Sequence, residues 1–334
     1  MRIHYDWRLA RVVDDERNIV DELEWDGPIT PTSLSKRLKI IQGGRNLPEV
    51  STLSERFPEA IIDETGALSD PHWPEFGDLE QVFQKATLEL AKMGVADSSG
   101  DLDRRLDMLV SAAQELRSSW TTSEARCVEW SGLFITEANL DSQRNDIPVA
   151  ISSSRTISEA AEKLGVNPPK HLPSDLEWSS MFSHANTVTR SSEILEQIEN
   201  AIREIASTHS PSLSELLGPI SAAKLISLAG GRERLARMPS GSLQVLGAHA
   251  AMSAHRRGAP PPKHGAVLFS MPQVSRSPRW VRGKIARYLA GKASIAVRVD
   301  NFEGERWDES KIEEINSEIE AIKKKFPRPP KRGV

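Results

Sequence analysis

Residues 218–248 read GPISAAKLISLAGGRERLARMPSGSLQVLGA, and this stretch decides the fold. Its first twelve residues carry one charge, Lys224. With SLSELL before them (212–217), they predict a buried helix pair around Gly218-Pro219, since proline suits a first helical turn and glycine a helix end. Gly230-Gly231 closes the second helix, and RERLARM (232–238) makes a short third. Ser240 is expected to cap a helix through GSLQVLGAHAAMSAHRR (241–257). GAPPPKHG (258–265) follows as a loop stiffened by three prolines. Ala266–Ser270 is the longest strand candidate in this block, and WVRGKIARYLAGKASIAVR (280–298) is a last core helix.

Upstream the pattern changes. Residues 6–13 and 17–25 are β-prone, with a turn at Asp14-Asp15-Glu16, so they predict a hairpin. Thr32 or Ser33 is positioned to cap a helix through LSKRLKIIQ that Gly43-Gly44 ends. The run from Pro58 to Asp63 predicts another buried strand. From residue 78 the period is helical: Leu79, Val82, Phe83 and Ala86, then Leu102, Leu106, Leu109, Val110, Ala113 and Leu116. A mixed, proline-bearing stretch over 141–176 holds one short helix, Ile157 to Leu164. A return helix over 185–206 carries Val188, Leu195, Ile198 and Ile202 on its stripe. Two long helices around an irregular tip predict an antiparallel helical hairpin. Residues 308–325 form an amphipathic tail helix, and the Pro- and Arg-rich end beyond it is expected to be disordered.

Composition narrows the function. At roughly 100–200 residues per domain, 334 residues make two to three domains. Charged residues are 27% and mean hydropathy is −0.41, the soluble globular range. A lone cysteine, Cys127, rules out a disulfide framework and a Cys-based zinc cluster, and is expected to be a buried small residue. The chain offers neither a transmembrane stretch nor an apolar leader core, so a reducing, cytoplasmic setting is expected. The net charge of −4 hides a division. Residues 1–205 hold 21 basic and 36 acidic groups, whereas 206–305 hold 14 and 5. A basic block behind an acidic one points to nucleic acid at one end of the chain.

Within that block Lys263 and His264 sit in the proline loop, which can present donors to a phosphate or an unstacked base at little ordering cost. A plain surface turn is the alternative. Arg256 and Arg257 end the preceding helix, where helix capping competes with phosphate contact. Lys284 and Arg287 share a helix face at i and i+3. Arg282 lies off that face, with a structural salt bridge as its alternative. Gln244 completes the RNA-binding candidates, although a cap-region hydrogen bond explains it equally. Trp280 is assigned to the core rather than to base stacking. No catalytic set emerges. Gly283-Lys284 lacks the phosphate-loop pattern, with Pro278 in place of the first glycine and Ile285 in place of the hydroxyl. Catalytic and metal-ligating residues are therefore expected to be none.

The strings 218–248, 258–265 and 277–304 together resemble the Nop domain, most closely that of the archaeal scaffold protein of box C/D small ribonucleoproteins. The remaining blocks are similar in layout. The resemblance implies a mainly α fold in four parts. An α/β domain, 1–76, would bind the fibrillarin-type methyltransferase. A helical hairpin or coiled coil, 77–207, would pair two copies as a homodimer. An all-α Nop domain, 208–305, would bind RNA and a small kink-turn protein. A basic helical tail, 306–334, would follow. It implies a non-catalytic scaffold for guided 2′-O-methylation of rRNA or tRNA. Its partners would be the box C/D guide RNA, the small kink-turn-binding protein and the methyltransferase. S-adenosylmethionine would reside on the methyltransferase, with no cofactor on this chain.

One helix departs from the family pattern. Where relatives show Gly-Ala-Glu-Lys and then Ala-Leu-Phe-Arg facing the guide–target duplex, this chain has Gly247-Ala248-His249-Ala250 and Ala251-Met252-Ser253-Ala254. That departure motivates a second reading, an RNA-binding assembly factor not engaged in guided methylation. Trp120 and Trp130 in the hairpin are read either as an altered dimer contact or as core.

Overall fold

A computed structural model describes residues 1–75 and 77–329 of the chain. The Pro- and Arg-rich end beyond 329 lies outside the described residues. The chain is mainly helical, with one small sheet, and divides into two compact units, Met1–Gly100 and Asp101–Val334.

In the first unit β1 (Arg2–Tyr5) pairs antiparallel with β2 (Leu9–Val13), and β2 with β3 (Ile19–Glu24). Helices α1 (Pro31–Gln42) and α2 (Pro48–Arg56) lead to β4 (Ile61–Asp63), which runs parallel to β1 and completes the order β3-β2-β1-β4. The hairpin was legible from its turn; β1 was not foreseen. β4 was expected to be buried, but Ile61 is 70% exposed because it stands on a sheet edge. The cap of α1 is Thr30, ahead of the expected Thr32 or Ser33 by two or three residues. Pro31 takes the first helical position, and Thr30 and Ser33 exchange a capping box. Ile3, Tyr5 and Val12 pack against Leu47, Val50 and Leu53. After the short α3 (Gly66–Ser69), α4 (Glu80–Ser98) lays Ala86 with Val82 and Phe83 against Leu34 and Leu38 of α1. The first helical run of the hairpin reading thus has its apolar partners in this unit.

In the second unit α5 (Leu102–Gly132) runs to a tip made of α6 (Asp146–Ser152) and α7 (Ile157–Lys163), and α8 (Asp175–His209) returns. Ser174 and Glu177 form a capping box that starts α8. The pair is antiparallel: Asp103 meets His209 at one end, and Trp130 meets His184 near the other. The tip has its own core of Val128, Ile147, Ile151, Ala160, Met181 and Ala185, with Trp120 and Trp130 packed on it as partly buried residues. Cys127 is buried there, and burial pushes its thiol up to about 11, with Glu124 adding to the shift.

The remaining helices are α9 (Pro211–Leu217), α10 (Pro219–Ala229), α11 (Arg232–Arg237), α12 (Ser240–Gln244), α13 (His249–Arg256), α14 (Ala266–Ser270), α15 (Pro272–Ser275), α16 (Arg282–Asn301) and α17 (Glu309–Lys325). Two expectations are corrected here. Ala266–Ser270 is a helix rather than a strand, as five apolar-rich residues do not distinguish the two by period. The single helix expected over 241–257 is broken at 245–248, where Gly247 takes φ +81°, and Ser240 provides no side-chain cap. The base of the hairpin and these helices share one core. Leu106, Val110, Leu195 and Ile202 join Leu213, Leu225, Leu289, Val297, Ile315 and Ile319. Each such residue contributes about 1.5–3 kcal/mol by leaving water.

One carboxylate ties the hairpin base to α11. Asp103 Oδ1 lies 2.7 Å from His209 Nε2, and Oδ2 accepts from the Arg232 amide at 2.9 Å. Gly231 has φ +126°, and a Cβ there would stand 2.8 Å from Asp103 Oδ2, so the second glycine of the pair is required twice over. Burial works to raise the Asp103 carboxyl, but the hydrogen bonds from His209 and the Arg232 amide outweigh it and hold the group below its usual range.

Candidate RNA interface

The proline loop 258–265 is held from beneath by Gln244, the last residue of α12. Its side chain is 8% exposed. Its Nε2 donates to the Lys263 carbonyl at 2.6 Å, and its own carbonyl accepts from the Gly265 amide at 2.7 Å. The helix break at 245–248 makes this possible, because it frees the Gln244 carbonyl from a helical ladder. Gly265 sits against the backbone: a Cβ there would fall 1.9 Å from the Leu246 carbonyl oxygen. The chain can pass at that point only as glycine.

With its base fixed, the loop presents two side chains. The exposed Lys263 lays its stem against Gly283, where an added Cβ would touch Lys263 Cβ at 3.4 Å. His264 stacks on Phe269 of α14, ring centroids 4.7 Å apart and planes within 10°. Arg282, at the start of α16, places its guanidinium 5.6 Å from the same Phe269 ring and donates from Nε to the Ser277 carbonyl at 2.8 Å. The salt bridge foreseen as its alternative role is replaced by this aromatic and backbone anchoring. Phe269, 39% exposed, organises the cluster. Sequence reasoning missed it because the segment read as a strand.

The structure therefore joins Gln244, Lys263, His264 and Arg282. Lys284 is exposed one position past Gly283, its Nζ 4.2 Å from the Phe326 ring centroid, and Arg287 is exposed one turn on along the same face of α16. Arg256 and Arg257 are exposed at the end of α13, at the far side of the loop, where His255 Nδ1 lies 2.7 Å from the Ala259 carbonyl oxygen. Among the described residues no hydrogen bond, ion pair or ring contact ties those two arginines to the His264 cluster. No residue of α13 is buried. Trp280 corrects its core assignment. It is 37% exposed, and its Nε1 donates to the Phe326 carbonyl at 2.9 Å. Chemically the surface offers cations and stacked rings on a rigid base, the combination that grips phosphate and unstacked bases. Among the described residues no group of three or more His, Cys, Asp or Glu is placed to hold a metal ion. No helix there is long and apolar enough to cross a membrane.

This chain belongs to the Nop family: the model described as "snoRNA binding domain, fibrillarin" matches residues 132–324, more than half of its length. It is similar to an uncharacterized NOP5 family protein of Methanocaldococcus jannaschii, 31% identical over 239 residues, covering 70% of this chain and 57% of that protein. It is also similar to nucleolar protein 56 of Schizosaccharomyces pombe, 28% identical over 163 residues, covering 48% of this chain and 33% of that protein. Against nucleolar protein 56 of Caenorhabditis elegans it is 36% identical over 130 residues, covering 39% of this chain and 26% of that protein. The chain thus spans between about a quarter and under three-fifths of the length of these relatives. Among solved structures, a chain of a fibrillarin/Nop5p complex aligns over 91% of this chain and 97% of its own, with TM-score 0.41 and 23% identity.

Proposed function

We propose that this protein is a non-catalytic scaffold of a box C/D guide ribonucleoprotein. Its second unit holds a kink-turn RNA already carrying a small RNA-binding protein. Its first unit holds a fibrillarin-type methyltransferase. The helical hairpin pairs two copies. The scaffold's contribution to 2′-O-methylation is then proximity and orientation, which lower a barrier without supplying a reacting group. The observation that carries this reading is the Lys263-His264 loop, fixed by Gln244 and Gly265 and backed by Phe269, within the matched family region. A preformed loop loses little entropy on meeting RNA.

The test is reconstitution of the full chain with the methyltransferase, the small kink-turn protein and a box C/D RNA. Methyl transfer to the guided nucleotide is expected only when all four are present. Transfer that does not need this chain rejects the scaffold role. Helix α13 favours a second reading, an assembly factor outside guided methylation, because it exposes Ala250 and Ser253 where relatives present a lysine and a phenylalanine. Tight assembly on RNA without methyl transfer would select that reading.

A further inference from the structure

The first turn of α16 has neighbours on two sides. On one side lie Lys263 against Gly283 and Arg282 beside Phe269. On the other lies Phe326, which follows directly on α17. Lys284 Nζ sits 4.2 Å from the Phe326 ring centroid, and Trp280 Nε1 donates to the Phe326 carbonyl at 2.9 Å. Ile315 and Ile319 bury α17 in the shared core, so its last turn is held in position. That turn reads Lys323-Lys324-Lys325, and Arg328 follows. Lys323 pairs with Glu320 at 2.6 Å. Lys324, Lys325, Arg328 and Arg279 are exposed and make no ion pair among the described residues.

We propose that the docked C-terminal end extends the RNA-binding face. Lys284, Arg279, Lys324, Lys325 and Arg328 contact phosphates, and the exposed ring of Trp280 takes an unstacked base. The proposal rests on the RNA reading of the Lys263-His264 loop and continues that surface across α16. Charge decides for RNA over an acidic protein partner. Arg279 adjoins the part-exposed Trp280 in sequence, and Lys325 and Arg328 flank the Phe326 that accepts its indole hydrogen bond, a pairing of cations with an aromatic ring that single-stranded nucleic acid uses, and the nearby acid Glu320 is already paired.

The experiment measures binding of the full chain to a kink-turn RNA loaded with its small protein, across a salt series. Lys324→Ala, Lys325→Ala and Arg328→Ala combined should weaken binding roughly tenfold or more near 150 mM salt. They should flatten the log–log salt slope by about two, at close to 0.7–0.9 per phosphate contact. Phe326→Ala keeps every charge but undocks the end, and should lose several-fold in affinity. Wild-type affinity and slope in the triple variant overturn the proposal. Wild-type binding by Phe326→Ala also overturns it, leaving only a loose basic tail. Lys263→Ala with His264→Ala separates the two levels. If that pair weakens binding and the triple variant does not, only the extension fails. If neither weakens binding, the RNA reading itself fails.

Discussion

Gln244 and Lys263 are joined across nineteen residues of chain: a buried side-chain amide donates to a loop carbonyl at 2.6 Å on the proposed RNA face. The same residue's carbonyl holds Gly265. Gln244→Ala removes the first bond and leaves the Lys263 carbonyl with no protein partner. A net loss of about 1–2 kcal/mol is expected. It should appear in RNA affinity more than in melting temperature, because the loop frays while the core helices stay packed. A large fall in thermal stability with unchanged RNA affinity would make Gln244 a fold residue only.

Gly265 allows a sharper test. A methyl group there meets the Leu246 carbonyl oxygen at 1.9 Å, and backbone cannot swing aside as a side chain can. Gly265→Ala must displace the loop or the 245–248 break, at a cost of about 1–3 kcal/mol by analogy with overpacking. The His264 ring then leaves Phe269. Chemical shifts of the His264 ring protons, which report the stacked geometry, should move toward exposed values. Unchanged shifts would mean the loop does not depend on this close approach.

Phe269 supports both His264 and Arg282 through its ring. Phe269→Leu keeps apolar bulk but removes stacking and the cation–π contact, together about 1–2 kcal/mol. RNA affinity should fall about fivefold or more while the helical content stays constant. Equal affinity would show that His264 is positioned by the proline loop alone.

Much of this was legible before the fold was seen, for identifiable reasons. Gly218-Pro219 and Gly230-Gly231 mark helix ends through backbone constraints that are local, so α9, α10 and α11 could be read directly. Lys263 and His264 stood out because three prolines flank them. Phe269 and Phe326 could not be read, because their roles come from residues packed against them from other elements: His264 and Arg282 for the first, Trp280 and Lys284 for the second. Trp280 was misplaced for the opposite reason. An apolar ring beside a core helix suggests burial, but the ring stays 37% exposed even with the chain end docked on its Nε1. The break after Gln244 was hidden because the residues around it favour helix, and Gly247 alone does not announce φ +81°.

Asp103 gives the pH dependence its sign. Its folded carboxyl lies below the usual value, so the unfolded chain binds the proton first as the solution is acidified. The stability it contributes is fully present above the unfolded carboxylate value, near pH 4. It is lost as the pH falls through the lower folded value. Asp103→Asn should cost about 1–3 kcal/mol at neutral pH, as expected for hydrogen bonds to a charged group. It should also flatten the acid limb of a melting-temperature profile below about pH 4. A variant with the same acid limb as the wild type would move that dependence to other carboxylates.

The division at Gly100 predicts a separable partner. Met1–Gly100 has its own sheet and two small cores, and the helices that carry the proposed RNA face lie wholly within Asp101–Val334. A chain of residues 101–334 should bind the loaded kink-turn RNA with wild-type affinity and fail to capture the methyltransferase in a pull-down. Cutting after residue 76 instead would leave α4 without Leu34 and Leu38, its packing partners on α1, and should expose an apolar face that promotes association. Size-exclusion profiles of the two truncations distinguish these cases: the first should run as the intact second unit, the second as larger species. Methyltransferase capture by residues 101–334 would place the dock on the hairpin or the helices beyond it.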